Sequence, residues 1–274
     1  MTMANTDFIK QTVTEPAFSD LLWSKPENKQ ARGKLLIIGG NEQGLAAPLE
    51  AFSTAADTGI GEARVLLPNA LKKIAGKVLE FGSYAPSTPS GSFNQQALAE
   101  FIDESAWADA VLFAGSLGRN SETAIVIEQY LKKHSGPIII AQDAVDYAIA
   151  APDALHKRGT TVLVLSMAQL QRYAKNIKLP QAVTFQMDLL QLTAVLKDLS
   201  STSGVSFVVK HLKNVIVAHD GDVSVTQLSE EVDIWRVKTA ANVSVWLVQQ
   251  PEKLFEAITT GVGQQFQPTQ PNDE

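Results

Sequence analysis

Two short glycine turns, one aspartate and one lysine are the places in this chain where residue type and setting could do chemistry. Gly115-Ser116-Leu117-Gly118 closes the apolar run Ala110–Ala114. A run without polar alternation is what a strand buried on both faces of a parallel sheet looks like. A glycine turn at its end lets backbone amides approach a ligand, phosphate above all, although a purely steric need for glycine is the competing account. Gly39-Gly40-Asn41-Glu42-Gln43-Gly44 follows Leu35–Ile38 in the same way. No Gly-Lys-Ser/Thr follows it and no GxGxxG is present, so it is neither a Walker A loop nor a dinucleotide fingerprint. Asp143 follows the strand-like Ile138–Ile140, where a carboxylate can hold a ribose hydroxyl or a metal-bound water, or cap a helix. Lys210 ends Ser206–Val209 and is placed either to meet a phosphate or to be solvated.

Other chemistries are excluded. The chain has no cysteine, which rules out disulfides and thiolate catalysis and favours a cytoplasmic protein. His134, His156, His211 and His219 are scattered, with no pair at metal-ligand spacing, so no metal site is expected and these are read as surface or capping residues. No Ser/His/Asp set and no nucleophile elbow is present. A formal net charge of −6 without a basic cluster excludes a nucleic-acid footprint. No stretch is long enough to span a membrane, and the N-terminus lacks a signal-peptide core.

The elements that must position these residues alternate strand and helix. After a leading arm, 1–33, a strand at Leu35–Ile38 feeds an Ala-rich helix at Ala46–Thr58, then a strand at Ala63–Leu67. A helix over Asn69–Leu79, an exposed Ser/Pro/Gly loop over Gly82–Ser92 that could act as a lid, and a helix over Asn94–Asp103 lead to the central strand. Asn120 or Ser121 caps a helix to Lys133 whose apolar positions are Ile125, Ile127, Tyr130 and Leu131. Strands at Ile138–Ile140 and Thr161–Leu165 follow, and Ser166 caps a helix through Tyr173. An amphipathic helix over Phe185–Leu199 precedes strands at Ser206–Val209, Val215–Ala218 and Val223–Val225, with Asp220-Gly221 as a hairpin tip. Helices at Ala240–Gln249 and Pro251–Thr260 end one α/β domain, 34–262, and a polar tail, 263–274, is expected to be disordered.

In this order the segments resemble the NAD(P)H-hydrate dehydratase family, a branch of the ribokinase-like fold, over roughly residues 22–262. Asn28-Lys29-Gln30-Ala31-Arg32-Gly33 is similar to the family's HKG…G segment, and Ala46-Ala47-Pro48 to its Gly-Ala-Pro. Ala114-Gly115-Ser116-Leu117-Gly118 resembles GPGLG, Ala141-Gln142-Asp143-Ala144-Val145 resembles DADAL, and Lys210-His211 resembles a late Lys-Gly. The resemblance implies a three-layer αβα sandwich with a mostly parallel central sheet. It also implies dehydration of hydrated NADH or NADPH with ADP or ATP, Mg2+ as a further cofactor, and a homo-oligomer. It places the hydrated nucleotide near Ala47 and Gly118 and the phosphates near Lys210, with Lys29, Gly115, Asp143, Ser166 and Ala241 in the binding set.

The sequence departs from that pattern. The family's Thr-Pro-His is Val164-Leu165-Ser166, and a nearby glutamate is Gln169. The GTGD motif, whose aspartate is the base, matches Thr239-Ala240-Ala241-Asn242, and asparagine cannot take a proton at neutral pH. Two readings follow: a divergent dehydratase or related kinase whose carboxylate comes from Asp143 or Asp233, and a catalytically inactive relative that binds a nucleotide or a partner.

Overall fold

A computed structural model describes residues 7–75, 82–156 and 158–266. Its strands are β1 (Ile9–Thr12), β2 (Lys34–Gly39), β3 (Glu62–Pro68), β4 (Gly82–Ala85), β5 (Ala110–Gly115), β6 (Ile138–Ala141), β7 (Thr161–Leu165), β8 (Ser206–His211), β9 (Asn214–His219) and β10 (Asp222–Gln227). They form one 10-stranded sheet in the order β1-β10-β9-β8-β7-β6-β5-β2-β3-β4. Every pairing is parallel except those of β9, which runs against β8 and β10.

The helices are α1 (Ser19–Trp23), α2 (Ala46–Thr58), α3 (Lys72–Ala75), α4 (Leu98–Ser105), α5 (Ser121–Lys133), α6 (Ala144–Ala150), α7 (Pro152–His156), α8 (Met167–Asn176), α9 (Leu189–Ser203), α10 (Arg236–Gln249) and α11 (Leu254–Gln264). Alternation along β2 shows how they sandwich the sheet. Leu36 and Ile38 enter a core shared with α4 to α9, while Leu35 and Ile37 enter a core shared with α2, α10 and α11. Burial on both faces is why these strands read as unbroken apolar runs.

The arm contributes an edge strand, because β1 pairs in parallel with β10. Gln11 ties it down: its Nε2 donates to Thr226 Oγ1 at 2.7 Å and to the Thr259 carbonyl at 2.9 Å. Several expectations change. The Gly82–Ser92 loop opens with β4, and Thr88, Ser92 and Phe93 are buried, so it is a packed segment. The helix expected over Asn69–Leu79 is a 3-10 turn, Asn69–Leu71, then α3 to Ala75; residues 76–79 lie outside those described. The helix expected from Phe185 starts at Leu189, where Asp188 and Gln191 form a capping box. Ile125 faces outward and Val126 inward. Helix α11 runs to Gln264, into the segment expected to be a free tail, and residues 267–274 lie outside those described.

Candidate functional site

In a sheet of this topology ligands bind in the crevice beyond the carboxyl ends of the strands. The ends of β2, β5 and β6 meet there. Gly40 N donates to the Gly115 carbonyl at 3.0 Å, joining the first two turns. Asp143 stands at the first-turn boundary of α6, yet its side chain makes no cap hydrogen bond there. It reaches instead to the neighbouring turn, where Oδ2 accepts from Leu117 N at 2.9 Å and Gly118 N at 3.2 Å. Oδ1 is buried without a hydrogen-bond partner. Burial pushes this carboxyl above the ordinary aspartate range, against the amides of Leu117, Gly118 and Ser116, which favour its ionised form.

Glycine is required at 115 for a steric reason. With φ at +101°, a Cβ there would stand 2.5 Å from Gln142 Cβ and 2.8 Å from Asp143 Oδ1. Ser116 and Gln142, side by side at these strand ends, hold φ of 57° and 56°, a left-handed conformation that side chains other than glycine adopt at a cost. Tyr147 on α6 locks the turn further: its hydroxyl donates to the Gly118 carbonyl and accepts from Asn120 N. The segment expected to be an exposed loop is hydrogen-bonded beside both glycine turns. Glu42 N donates to the Gly91 carbonyl, and Asn120 Nδ2 to Ser90 Oγ. Ala47, in the first turn of α2, is buried at this edge.

The other half of the edge belongs to β6, β7 and β8. Ser166 Oγ accepts from Gln169 N, and Gln169 Oε1 accepts from Ser166 N, so Ser166 is spent as a helix cap. Gln169 Nε2 donates to the Gln142 carbonyl at 2.7 Å and to Asp146 Oδ1 at 3.2 Å, bridging the ends of β6 and β7. Arg172 makes an ion pair with Asp146 at 2.6 Å. Arg236, the first residue of α10, comes from the opposite layer; burial lowers its pKa and the Asp146 carboxylate opposes that shift. Lys210 is mostly buried and pairs loosely with Glu231, at 3.8 Å. Glu231 sits between two residues that line a cavity of about 730 Å³, formed by Thr12, Lys213, Leu228, Glu230, Val232 and Phe266. Among the described residues no group of three or more Asp, Glu, His or Cys is placed to hold a metal ion.

Three sequence candidates fall outside this edge. Lys29 is exposed in the 3-10 turn before β2, beside the start of β3, at the opposite end of the strands. Thr239–Asn242 is interior to α10, which starts four residues earlier than expected, so its amides serve the helix ladder and are not free for phosphate. Asn242 Oδ1 accepts from Thr58 Oγ1 at 2.9 Å, and its Nδ2 donates to the Lys238 carbonyl at 3.0 Å. Thr58 is in the last turn of α2, the end that leads into β3, so Asn242 faces away from the carboxyl edge. Ala241 is fully buried in the same turn. The histidines also make specific contacts: His134, the C-cap residue of α5, stacks on Tyr130, His156 bonds Tyr173, His219 bonds Ser206 and His211 is buried. Sequence reasoning missed Asp146, Arg172 and Arg236, which lie far apart in the chain and carry no motif.

No protein-family model matches the sequence. Among solved structures, a ribokinase-like superfamily protein from Enterococcus faecalis matches with TM-score 0.70 at 14% identity, over 96% of this chain and 88% of its own. A protein from Streptococcus mutans matches with TM-score 0.66 at 14% identity, over 88% and 84%. An ADP/ATP-dependent NAD(P)H-hydrate dehydratase from Bacillus subtilis, co-crystallised with ATP and Mg2+, matches with TM-score 0.61 at 15% identity, over 90% and 86%. At these identities the likeness is one of fold, and the fold is ribokinase-like.

Proposed function

We propose that this protein binds an adenine nucleotide, ADP or ATP, at the carboxyl edge of its sheet and lacks the acid–base step that the sequence resemblance implies. The observation that carries the reading is the start of α10. Its first turn holds Arg236 and no acidic residue, while the stretch matched to GTGD is buried inside the helix. Without a carboxylate there, a general base worth about 10²–10⁴-fold in rate is missing.

The residues present fit a nucleotide. The amides of Leu117 and Gly118 are already taken by Asp143, so phosphate oxygens fall to the cations of the β7–β8 side. Lys210 holds only a long ion pair, and Arg236 keeps a buried donor without an acceptor. The cavity beside Glu231 has room and apolar lining, from Leu228, Val232 and Phe266, for a base. A Mg2+ ion would enter with the phosphates, since no protein cage for it stands among the described residues. A hydrated NADH or NADPH would occupy the turn near Ala47 and Gly118, where the packed Thr88–Ser92 segment must move aside. A cytoplasmic setting, read from the cysteine-free chain, is compatible with these ligands.

Nucleotide-dependent dehydration of hydrated NADH or NADPH is the second reading. Asp233 favours it, as an exposed carboxylate two residues before the Trp235 cap of α10. Thermal unfolding with millimolar ADP, ATP, NADH and NADPH, followed by turnover of hydrated NADH, separates the two. A ligand at 100 times its dissociation constant stabilises by about 2.7 kcal/mol. A shift with ADP or ATP and no turnover supports binding alone, turnover establishes the second reading, and no shift with any nucleotide refutes both.

A further inference from the structure

The amino ends of β2 and β3, opposite the carboxyl edge, border a cavity of about 1130 Å³. One wall is the 3-10 turn Lys29–Arg32, with Asn28 before it and Gly33-Lys34 after it. The other wall is apolar, from Phe52 and Ala56 on α2 and from Ile60 and Ala63 beyond it. The walls are clamped together: Glu62 N donates to the Gly33 carbonyl at 3.0 Å, and a Cβ at Gly61 would stand 2.4 Å from the Lys29 carbonyl. The turn wall is rich in donors. Asn28 spends its Oδ1 on Gln30 N at 3.0 Å, and its amide nitrogen has no acceptor among the described residues. Lys29 and Lys34 make no ion pair among the described residues, and the ammonium of Lys34 lies 5.7 Å from the Trp107 ring. Glu62, the carboxylate on the lining, pairs with Arg64 at 3.6 Å. Nor do the lysines cap α2, because the Ala55 and Ala56 carbonyls accept from Gly59 N and Ile60 N.

We infer that this cavity is a second binding site, for a small amphipathic carboxylate. Its anionic head meets Lys29 and Lys34, and its aromatic or aliphatic body lies on Phe52 and Ile60. An apolar surface with a few polar groups on one side is how small-ligand clefts bind and orient their ligands. A bare anion would leave the apolar wall in water, and a neutral body would leave both ammoniums unmet. The site shares no residue with the carboxyl edge and lies at the other end of the strands. It therefore stands independently of the nucleotide reading.

The test is a titration of the isotope-labelled full chain, followed by backbone amide NMR at fixed ionic strength, with phenylacetate, phenylacetamide and inorganic phosphate. Wild type is compared with Lys29→Ala, Lys34→Ala and, as a control on α5, Lys133→Ala. All three lysines are exposed, so each variant is expected to keep the fold, which its own amide spectrum shows. Phenylacetate is expected to shift the amides of residues 28–34 and 60–63 saturably, and phenylacetamide to bind more weakly. Phenylacetate affinity is expected to fall about threefold or more in Lys29→Ala and in Lys34→Ala and to hold in Lys133→Ala. Equal affinity for phenylacetamide overturns the anionic head. Phosphate shifting these amides while phenylacetate does not overturns the amphipathic assignment. Shifts confined to other residues, or an affinity unchanged in both Lys29→Ala and Lys34→Ala, overturn the site, as does the absence of any saturable shift.

Discussion

The Asp143 carboxylate accepts the Leu117 amide at 2.9 Å across the gap between two strand-end turns, and it takes the Gly118 amide with the same oxygen. An anion of the chain itself thus occupies donors that a glycine turn would otherwise offer to a ligand. Asparagine keeps an acceptor oxygen and removes a buried charge, whereas alanine leaves buried amides unmet at about 1–3 kcal/mol each. Asp143→Asn is therefore expected to unfold within a few degrees of wild type and Asp143→Ala well below it, measured by thermal and urea unfolding.

Gly115 faces the same aspartate from the other side. Alanine at 115 combines a left-handed φ, costing about 1–2 kcal/mol, with contacts of 2.5 and 2.8 Å to Gln142 and Asp143. Gly115→Ala is expected to lower stability in urea unfolding by more than the conformational cost alone. Gly115→Ala in the Asp143→Asn background is expected to remain destabilised, since Gln142 Cβ is the nearer obstacle.

His134 makes the fold acid-sensitive. Its ring stacks on Tyr130 at 5.0 Å, its Nε2 has no partner, and burial with the nearby Arg158 charge lowers its pKa to about 4. Between about pH 6.5 and about 4 the unfolded chain binds the proton and the folded chain does not, so this group's contribution to stability falls as pH falls through that window. Its partial exposure limits the effect to the order of 1 kcal/mol. His134→Phe keeps a stacking ring and removes one proton site, and is expected to reduce the fall of unfolding temperature between pH 6.5 and 4, the remainder belonging in part to His156 and His219, whose pKa values burial also lowers.

Gln11 is the polar anchor of the edge strand. Its amide donates to Thr226 and to the Thr259 carbonyl, and its oxygen accepts from Ala17 N at 3.2 Å. Gln11→Leu fills the volume but strands these buried groups. Hydrogen exchange is expected to speed up at Ile9–Thr12 and across the β10 pairing, while the amides of β5 and β6 keep their protection.

Much of this architecture was legible in the sequence because the central strands are buried on both faces, and because cap residues bound the helices. Ala46–Thr58, Ser121–Lys133 and Thr161–Leu165 have the expected limits. The edge strands β1 and β4 escaped because each is 4 residues long and neither is an apolar run. The start of α10 escaped because Trp235, its cap residue, makes no side-chain cap hydrogen bond. The stretch Thr239–Asn242 therefore lies inside α10 and not at its start. Asp143 was legible as a strand-end carboxylate, but its choice of partner was not, since Leu117 and Gly118 become its neighbours only when β5 and β6 pair.

Placing an aspartate at 242 tests the position of the site most directly. If the carboxyl edge lay there, Asn242→Asp would supply the missing base and create or raise turnover of hydrated NADH. In the structure Nδ2 of Asn242 donates to the Lys238 carbonyl at 3.0 Å, inside a buried turn. A carboxylate at that position sets oxygen against oxygen and must either carry a poorly compensated charge or stay protonated. The variant is therefore expected to unfold several degrees below wild type at neutral pH, with the loss shrinking as pH falls and the carboxyl takes a proton. No nucleotide-dependent turnover is expected to appear, and a gain of turnover would return the base to position 242 and overturn the placement of the site at the strand ends.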